Sequence, residues 1–245
     1  MTSANASRRD GASRPCSAAA DDPATLAREV NARLSASYGP PPPLQPQDPL
    51  SELIATILSQ HTSDLNTERA SRALLDRFGD LEAVRAAPVG AIEAAIRSGG
   101  LARVKAPRIK RVLEQLKAER GELSLDFLAG MDLAEARRYL MGLGGVGPKT
   151  AACVLLFACG RPAIPVDTHV HRVSRRLGLI GPRTGADQAH ARLEAIVPPD
   201  EAYRFHVNLI RHGRQICKAQ RPRCEICPLE DICPKVGLAL PAPVA

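Results

Sequence analysis

Four of the seven cysteines in this 245-residue chain lie within one short span, at Cys217, Cys224, Cys227 and Cys233, in a C-x6-C-x2-C-x5-C arrangement. Thiolates at that spacing can wrap a [4Fe-4S] cluster, with the CxxC pair on adjacent corners and the longer loops reaching the other two. Pro228 and Pro234 directly follow the third and fourth cysteines and stiffen the turns. A structural zinc site and a set of disulfides are the competing chemistries. Zinc more often uses two paired knuckles far apart in sequence, and disulfides need an oxidising compartment. Cys153 and Cys159, in an apolar stretch, read as buried free thiols, and Cys16 has no evident role.

A different chemistry is available at Leu143-Gly144-Gly145-Val146-Gly147-Pro148-Lys149-Thr150-Ala151. The segment reads as a hairpin between two helices. Glycine at 145 and 147 lets backbone amides approach a phosphate that side chains would hold off, and Pro148 suits the first turn of the next helix. Such a hairpin grips a nucleic-acid backbone without reading bases. Lys149 follows at once. The chain uses lysine at only six of its 33 basic positions, so a lysine here calls for a reason that arginine cannot meet. Arginine keeps its proton in a protein, whereas a lysine partly desolvated near a helix N-terminus and other cations becomes a neutral amine and a nucleophile. A phosphate contact is the plainer role. Further on comes Pro165-Val166-Asp167-Thr168-His169, with Asp167 placed to begin another helix. Capping alone would account for it, yet a carboxylate there can cap a helix and still face the amine across a cleft.

The elements that must position these groups are helical. Apolar residues recur at three- and four-residue spacing through Leu53-Ile54-Ile57-Leu58, Ile109-Val112-Leu113-Leu116, Ala151-Val154-Leu155-Ala158 and Val170-Val173-Leu177, and no segment alternates as a strand. Glycine and proline signals at Gly39 to Pro49, Gly79, Pro88, Gly99-Gly100, Gly121, Gly142 to Pro148, Gly160 to Pro165 and Gly181-Pro182 divide about ten short helices. A formal charge of +7 favours a polyanionic partner. From Tyr203 to Cys224, Arg204, Arg211, Arg214, Lys218, Arg221 and Arg223 are met by no acid, and a second basic stretch runs from Arg103 to Arg120. Aromatic residues make up only 3% of the chain, so stacking on single-stranded bases is not the main binding device. No run reaches membrane-spanning length, and the first twenty-odd residues read as a polar tail without a secretory signal, which places the protein in the cytoplasm.

In their order and spacing, LGGVGPKTA, IPVDTHVHRV and HGRQICKAQRPRCEICPLEDICP resemble the endonuclease III family of DNA glycosylases. ILSQHTSD, from Ile57 to Asp64, and SGGLARVKAPRI, from Ser98 to Ile109, extend the likeness over residues 25–236. The resemblance implies an all-α fold of two helical domains flanking a DNA-binding cleft. A six-helix domain over 45–160 would hold the hairpin, and 22–44 with 161–236 would form a discontinuous iron-sulfur domain, leaving tails at 1–21 and 237–245. It implies Lys149 as the catalytic lysine, Asp167 as the catalytic aspartate, and Cys217, Cys224, Cys227 and Cys233 as ligands of a [4Fe-4S] cluster. Leu101 matches the position of an apolar wedge, with core packing as its plainer role. Gln60 and His61 match positions that enter the gap left by a flipped base. The usual bacterial pattern there is Ala then Gln, so this chain departs from it. Gly145, Gly147, Lys218, Arg221 and Arg223 would hold phosphates. The implied activity is that of a bifunctional glycosylase and abasic-site lyase. Its implied partner is double-stranded DNA containing damaged bases or abasic sites, bound by a monomer in the cytoplasm with the nucleoid.

Adenine-removing relatives would carry Glu where Thr56 stands and would lack the lysine, and thymine-mismatch relatives also tend to lack it. The residues therefore favour a lysine-bearing enzyme acting on damaged pyrimidines. The alternatives are a mismatch-specific glycosylase and a non-catalytic protein that keeps the hairpin and cluster to bind DNA or to sense.

Overall fold

The computed structural model describes residues 22–238; the expected tail at 1–21, with Cys16, and residues 239–245 lie outside that range. Among the described residues there are eleven α-helices and no strand, the all-α class that the periodicity predicts. In chain order they are α1 (Pro23–Tyr38), α2 (Pro49–Ser59), α3 (Asp64–Phe78), α4 (Leu81–Ala86), α5 (Val89–Ala95), α6 (Ala102–Arg120), α7 (Leu133–Gly142), α8 (Pro148–Cys153), α9 (Thr168–Arg176), α10 (Ala186–Ile196) and α11 (Ala202–Gln215).

Local chemistry sets most of the starts. The carboxylates of Asp22, Asp48, Asp80, Asp132 and Asp167 each accept hydrogen bonds from first-turn amides of α1, α2, α4, α7 and α9. Each such cap contributes about 1 kcal/mol by satisfying amides that have no partner within the helix. Proline in the first turn of α1, α2 and α8 occupies a position where a missing N–H costs nothing.

The apolar faces of these helices close over two separate cores. One draws on residues from Leu50 to Leu155, with Ala163, and includes Leu53, Ile57, Ile109, Leu113, Leu140 and Ala151. The other joins Ala27, Val30 and Leu34 of α1 to a stretch running from Leu156 to Leu229, including Val170, Val173, Phe205 and Leu209. The changeover falls between Leu155 and Leu156, inside a single π-helical turn, Val154–Ala158, that continues α8. That helix enters from the hairpin and leaves into the second core. Consequently the Lys149 end of α8 and the Asp167 end of α9 belong to a segment that bridges both cores.

Candidate active site and cluster site

The hairpin loop Leu143–Gly147 joins α7 to α8. Gly145 has φ of 94°, a conformation that side chains disfavour. Space is equally restrictive, since a Cβ there would lie 2.5 Å from Arg108 Cδ, and one at Gly144 would lie 2.6 Å from Arg111 Cδ. Arg108 and Arg111 of α6 therefore pack directly over the loop. The Gly144 amide donates to Gln115 Oε1 at 3.1 Å and the Val146 amide to Leu143 O at 3.0 Å. Neither the Gly145 nor the Gly147 amide has a backbone acceptor among the described residues. A helix start with two arginines beside such amides is a ready anion site.

Lys149 is half-buried at the second position of α8, and Asp167 is half-buried at the cap of α9. Both act on the buried thiol of Cys153, one turn beyond the lysine. Burial pushes the Cys153 thiol up; Lys149 opposes that rise, while Glu52 and Asp167 add to it. Asp167 accepts from the amides of His169 and Val170, each at 2.8 Å and each through Oδ1. The cap thus uses one oxygen and leaves Oδ2 out of it. Four other aspartates cap helices here, so capping does not distinguish Asp167; its influence, with Lys149, on the buried Cys153 does. Behind the pair lies buried His206 of α11, whose ring nitrogen Nδ1 donates to Pro165 O at 2.9 Å. Burial lowers its pKa to about 4, with Asp167 opposing, so the ring is neutral and orders the loop that ends in Asp167.

Gln60 and His61 follow the end of α2, and Leu101 follows a turn that Lys105 ties to that end. Leu101 is 52% exposed, which removes it from the core. It and His61 are both non-glycine residues at positive φ, 50° and 53°, a conformation that costs on the order of 1 kcal/mol or more and persists only where the surroundings impose it. The imposing group is Lys105, a residue that the sequence motifs do not single out. The residue is 1% exposed, and its ammonium donates to Leu58 O at 2.6 Å and Gly99 O at 2.8 Å, tying the end of α2 to the turn before Leu101. Gln60 is engaged within the protein: Arg108 donates to its Oε1 at 2.6 Å, and its Nε2 donates to Thr150 Oγ1 at 3.3 Å. His61 is exposed.

Cys217, Cys224, Cys227 and Cys233 line one cavity with Val173, Leu177, His212 and Ile216. None of the six described cysteines forms a disulfide. Arg176 Nη1 lies 3.3 Å from Cys217 Sγ, and His212 Nε2 lies 3.6 Å from Cys227 Sγ. Burial pushes the Cys227 thiol up to about 11, with the Leu229 backbone opposing and the neighbouring sulfurs adding, so holding this sulfur as a thiolate calls for positive charge beside it. Four thiols around one enclosed space, with N–H donors aimed at two of them, fit an iron-sulfur cluster. Buried Arg176 also donates to Lys218 O at 2.6 Å and Ala219 O at 3.0 Å, and Arg172 Nε donates to Cys217 O at 3.0 Å. Helix α9 thereby holds the cysteine loop at one end and Asp167 at the other. Lys218, Arg221 and Arg223 stand exposed on the loop's outer side. The remaining basic positions are less available than their count implies. Arg211 donates to Tyr38 O and Gly39 O, Lys110 to Arg85 O and Ala87 O, and Lys117 pairs with Glu82 at 2.6 Å.

A helical fold with a glycine hairpin, an amine and a carboxylate at successive helix starts between two cores, and a four-cysteine loop defines a class of DNA repair proteins. The family model described as HhH-GPD superfamily base excision DNA repair protein matches residues 54–199, and that for the iron-sulfur binding domain of endonuclease III matches residues 217–233. Endonuclease III of Thermotoga maritima is 36% identical over 208 residues, 85% of this chain and 90% of that protein. A putative DNA glycosylase of Arabidopsis thaliana is 35% identical over 192 residues, 77% of this chain, which spans 65% of that longer protein. A solved non-covalent complex of endonuclease III with DNA superposes with a TM-score of 0.73 at 32% identity, covering 86% of this chain and 95% of that one. The chain belongs to the endonuclease III family of base excision DNA repair enzymes. Its cofactor is a [4Fe-4S] cluster. No helix among the described residues is long and apolar enough to cross a membrane.

Proposed function

We propose that the protein is a bifunctional DNA glycosylase and abasic-site lyase that removes oxidised or otherwise damaged pyrimidines from double-stranded DNA through a covalent bond to Lys149. The observation that supports this reading is the placement of Lys149 at the start of α8 and Asp167 at the cap of α9, in the segment that passes from one core to the other. A damaged nucleotide must leave the helix before C1′ of its sugar can be reached. The Lys149 amine attacks C1′ and the base departs. Asp167 offers the oxygen not used in capping to the positive charge that develops on the sugar. The sugar ring then opens, O4′ leaving C1′ and taking a proton as the lysine nitrogen forms the Schiff base; this acidifies the 2′ proton, and β-elimination releases the 3′ phosphate.

DNA would lie across two units, 45–160 and the combination of 22–44 with 161–236. The Gly145 and Gly147 amides would hold one phosphate, and Lys218, Arg221 and Arg223 would hold others. Leu101 enters the stack as a wedge, and His61, with Gln60 behind it, faces the orphaned partner base. The enzyme acts as a monomer. The cluster would be held by Cys217, Cys224, Cys227 and Cys233, and what it supplies is the rigidity that presents the loop's basic residues to DNA.

The reading is tested with duplexes that each carry a single oxidised pyrimidine, oxidised purine, mismatch or abasic site. Strand cleavage confined to mismatches, or no cleavage of abasic duplex, would overturn it. Asp167→Asn should keep the fold and DNA affinity, because an amide still caps α9, yet slow base excision by about 100-fold through loss of charge. Equal losses of stability and rate would return Asp167 to capping alone. Leu101→Ala should slow excision from fully paired duplex about tenfold while leaving strongly destabilised sites much less affected, since the wedge acts before the chemistry. Equal slowing of both substrates would remove the wedge role.

A further inference from the structure

Glu52 is a half-buried carboxylate in the cleft for which the lysine and aspartate leave no task. It projects from the first turn of α2, and its Oε1 accepts a 3.0 Å hydrogen bond from the hydroxyl of buried Thr56. Glu52 borders an open cavity of about 410 Å³ that it shares with Pro42, Gln45, Gln47, Phe157 and Tyr203. That volume is ample for a nucleobase. Tyr203 donates to Pro42 O at 2.9 Å, which fixes the linker before α2 as one wall. The Phe157 ring meets His206 edge-on at 5.5 Å, and His206 is the residue that orders the loop leading to Asp167. The cavity wall at Phe157 therefore connects through His206 to the loop that ends in Asp167.

The charged and titratable groups within electrostatic reach of Glu52 are Lys149 and Cys153 of α8, and Asp167 at the start of α9 and His206 of α11 act in turn on these. Burial raises the Glu52 carboxyl above the usual range, with the Thr56 bond and then Lys149 opposing. A carboxyl so placed keeps its proton to higher pH than an exposed glutamate would.

Resting on the glycosylase reading, we propose that this cavity receives the everted base and that Glu52 is its acid, passing a proton to the base as it leaves. The C1′–N bond breaks with its electron pair on the departing base. That base takes the Glu52 carboxyl proton and leaves neutral, while the Lys149 amine forms the new bond to C1′. The alkylated nitrogen then sheds one proton to water, and the carboxylate at Glu52 is reprotonated before the next turnover. Asp167 stabilises the sugar and Glu52 serves the base, so the two carboxylates act on opposite ends of one breaking bond.

Glu52→Gln keeps the size of the side chain and an acceptor for Thr56 but has no acidic proton to give. The full-length holoenzyme and this variant are compared on duplex with one oxidised pyrimidine and on the same duplex with a preformed abasic site. Base release should fall about 100-fold, while nicking of the abasic duplex, which has no base to expel, should stay within about twofold. The wild-type rate of base release should fall as pH rises through the Glu52 ionisation, and that limb should vanish in the variant. Equal loss on both duplexes would make Glu52 a structural residue, and no loss on either would leave it without a role; both overturn the proposal. A wild-type protein that released no base from any duplex would instead overturn the glycosylase reading, and this inference with it.

Discussion

Lys149→Ala is expected to abolish covalent capture of abasic DNA. Borohydride added during the wild-type reaction should reduce the Schiff base and leave protein attached to DNA in a stable adduct, and in the variant no adduct should form. Strand cleavage should fall on the order of 10⁴-fold or more, because no other group can take over the nucleophile's bond. Binding should survive. The hairpin amides, Arg108 and Arg111 are untouched by the change, and alanine is a better helix former than lysine at a position in the first turn of α8. Lys149→Arg separates the two roles open to this residue: a phosphate contact would be largely rescued, whereas a nucleophile would not, since arginine does not lose its proton. Undiminished adduct in the alanine variant would move the nucleophile elsewhere.

Cys224→Ser should have the second large effect, and on stability more than chemistry. The wild-type protein should be brown, with broad visible absorbance from charge transfer between sulfur and iron, and the variant should lose both colour and soluble yield. Metal-held loops draw on the order of 10 kcal/mol of folding energy from their metal. Here the loop is tied into the second core: Leu229 is fully buried, Cys217, Cys227, Ile232 and Cys233 pack against that core, and Arg33 reaches Asp231 at 2.6 Å. Loss of the cluster should therefore loosen the packing of α1, α9 and α11 first, and leave the core around Ile57 and Leu113 the more protected in hydrogen exchange. Stoichiometric zinc with no iron or sulfide in anaerobically purified wild-type protein would sink the cluster assignment.

Features that depend on neighbouring residues are legible in the order of amino acids alone. The hairpin glycines, the proline and aspartate at helix starts and the cysteine spacing are each set by a few consecutive residues, and their local geometry leaves few alternatives. The helical class follows from apolar periodicity for the same reason. The basic stretches are legible as charge but not as surface. All three lysines of the Arg103 to Arg120 run, Lys105, Lys110 and Lys117, turn inward or pair, and composition cannot separate a cation facing DNA from one holding a carbonyl.

The groups that no local pattern reveals are joined across long separations. Lys105 braces Leu58 and Gly99; Gln60 links Arg108 to Thr150; His206 reaches Pro165; and Glu52, one acid in the apolar stretch Leu50 to Leu58, faces a lysine nearly a hundred residues away. The rarity of lysine is a usable signal for Lys105 as well as for Lys149, but it cannot say which is the nucleophile and which the brace. The hairpin, the four-cysteine run, the helix starts and the family are therefore written in the chain itself. Which polar side chains face the cleft is settled by packing, because helical periodicity dictates which face of a helix is buried and says nothing of the partner that buries it.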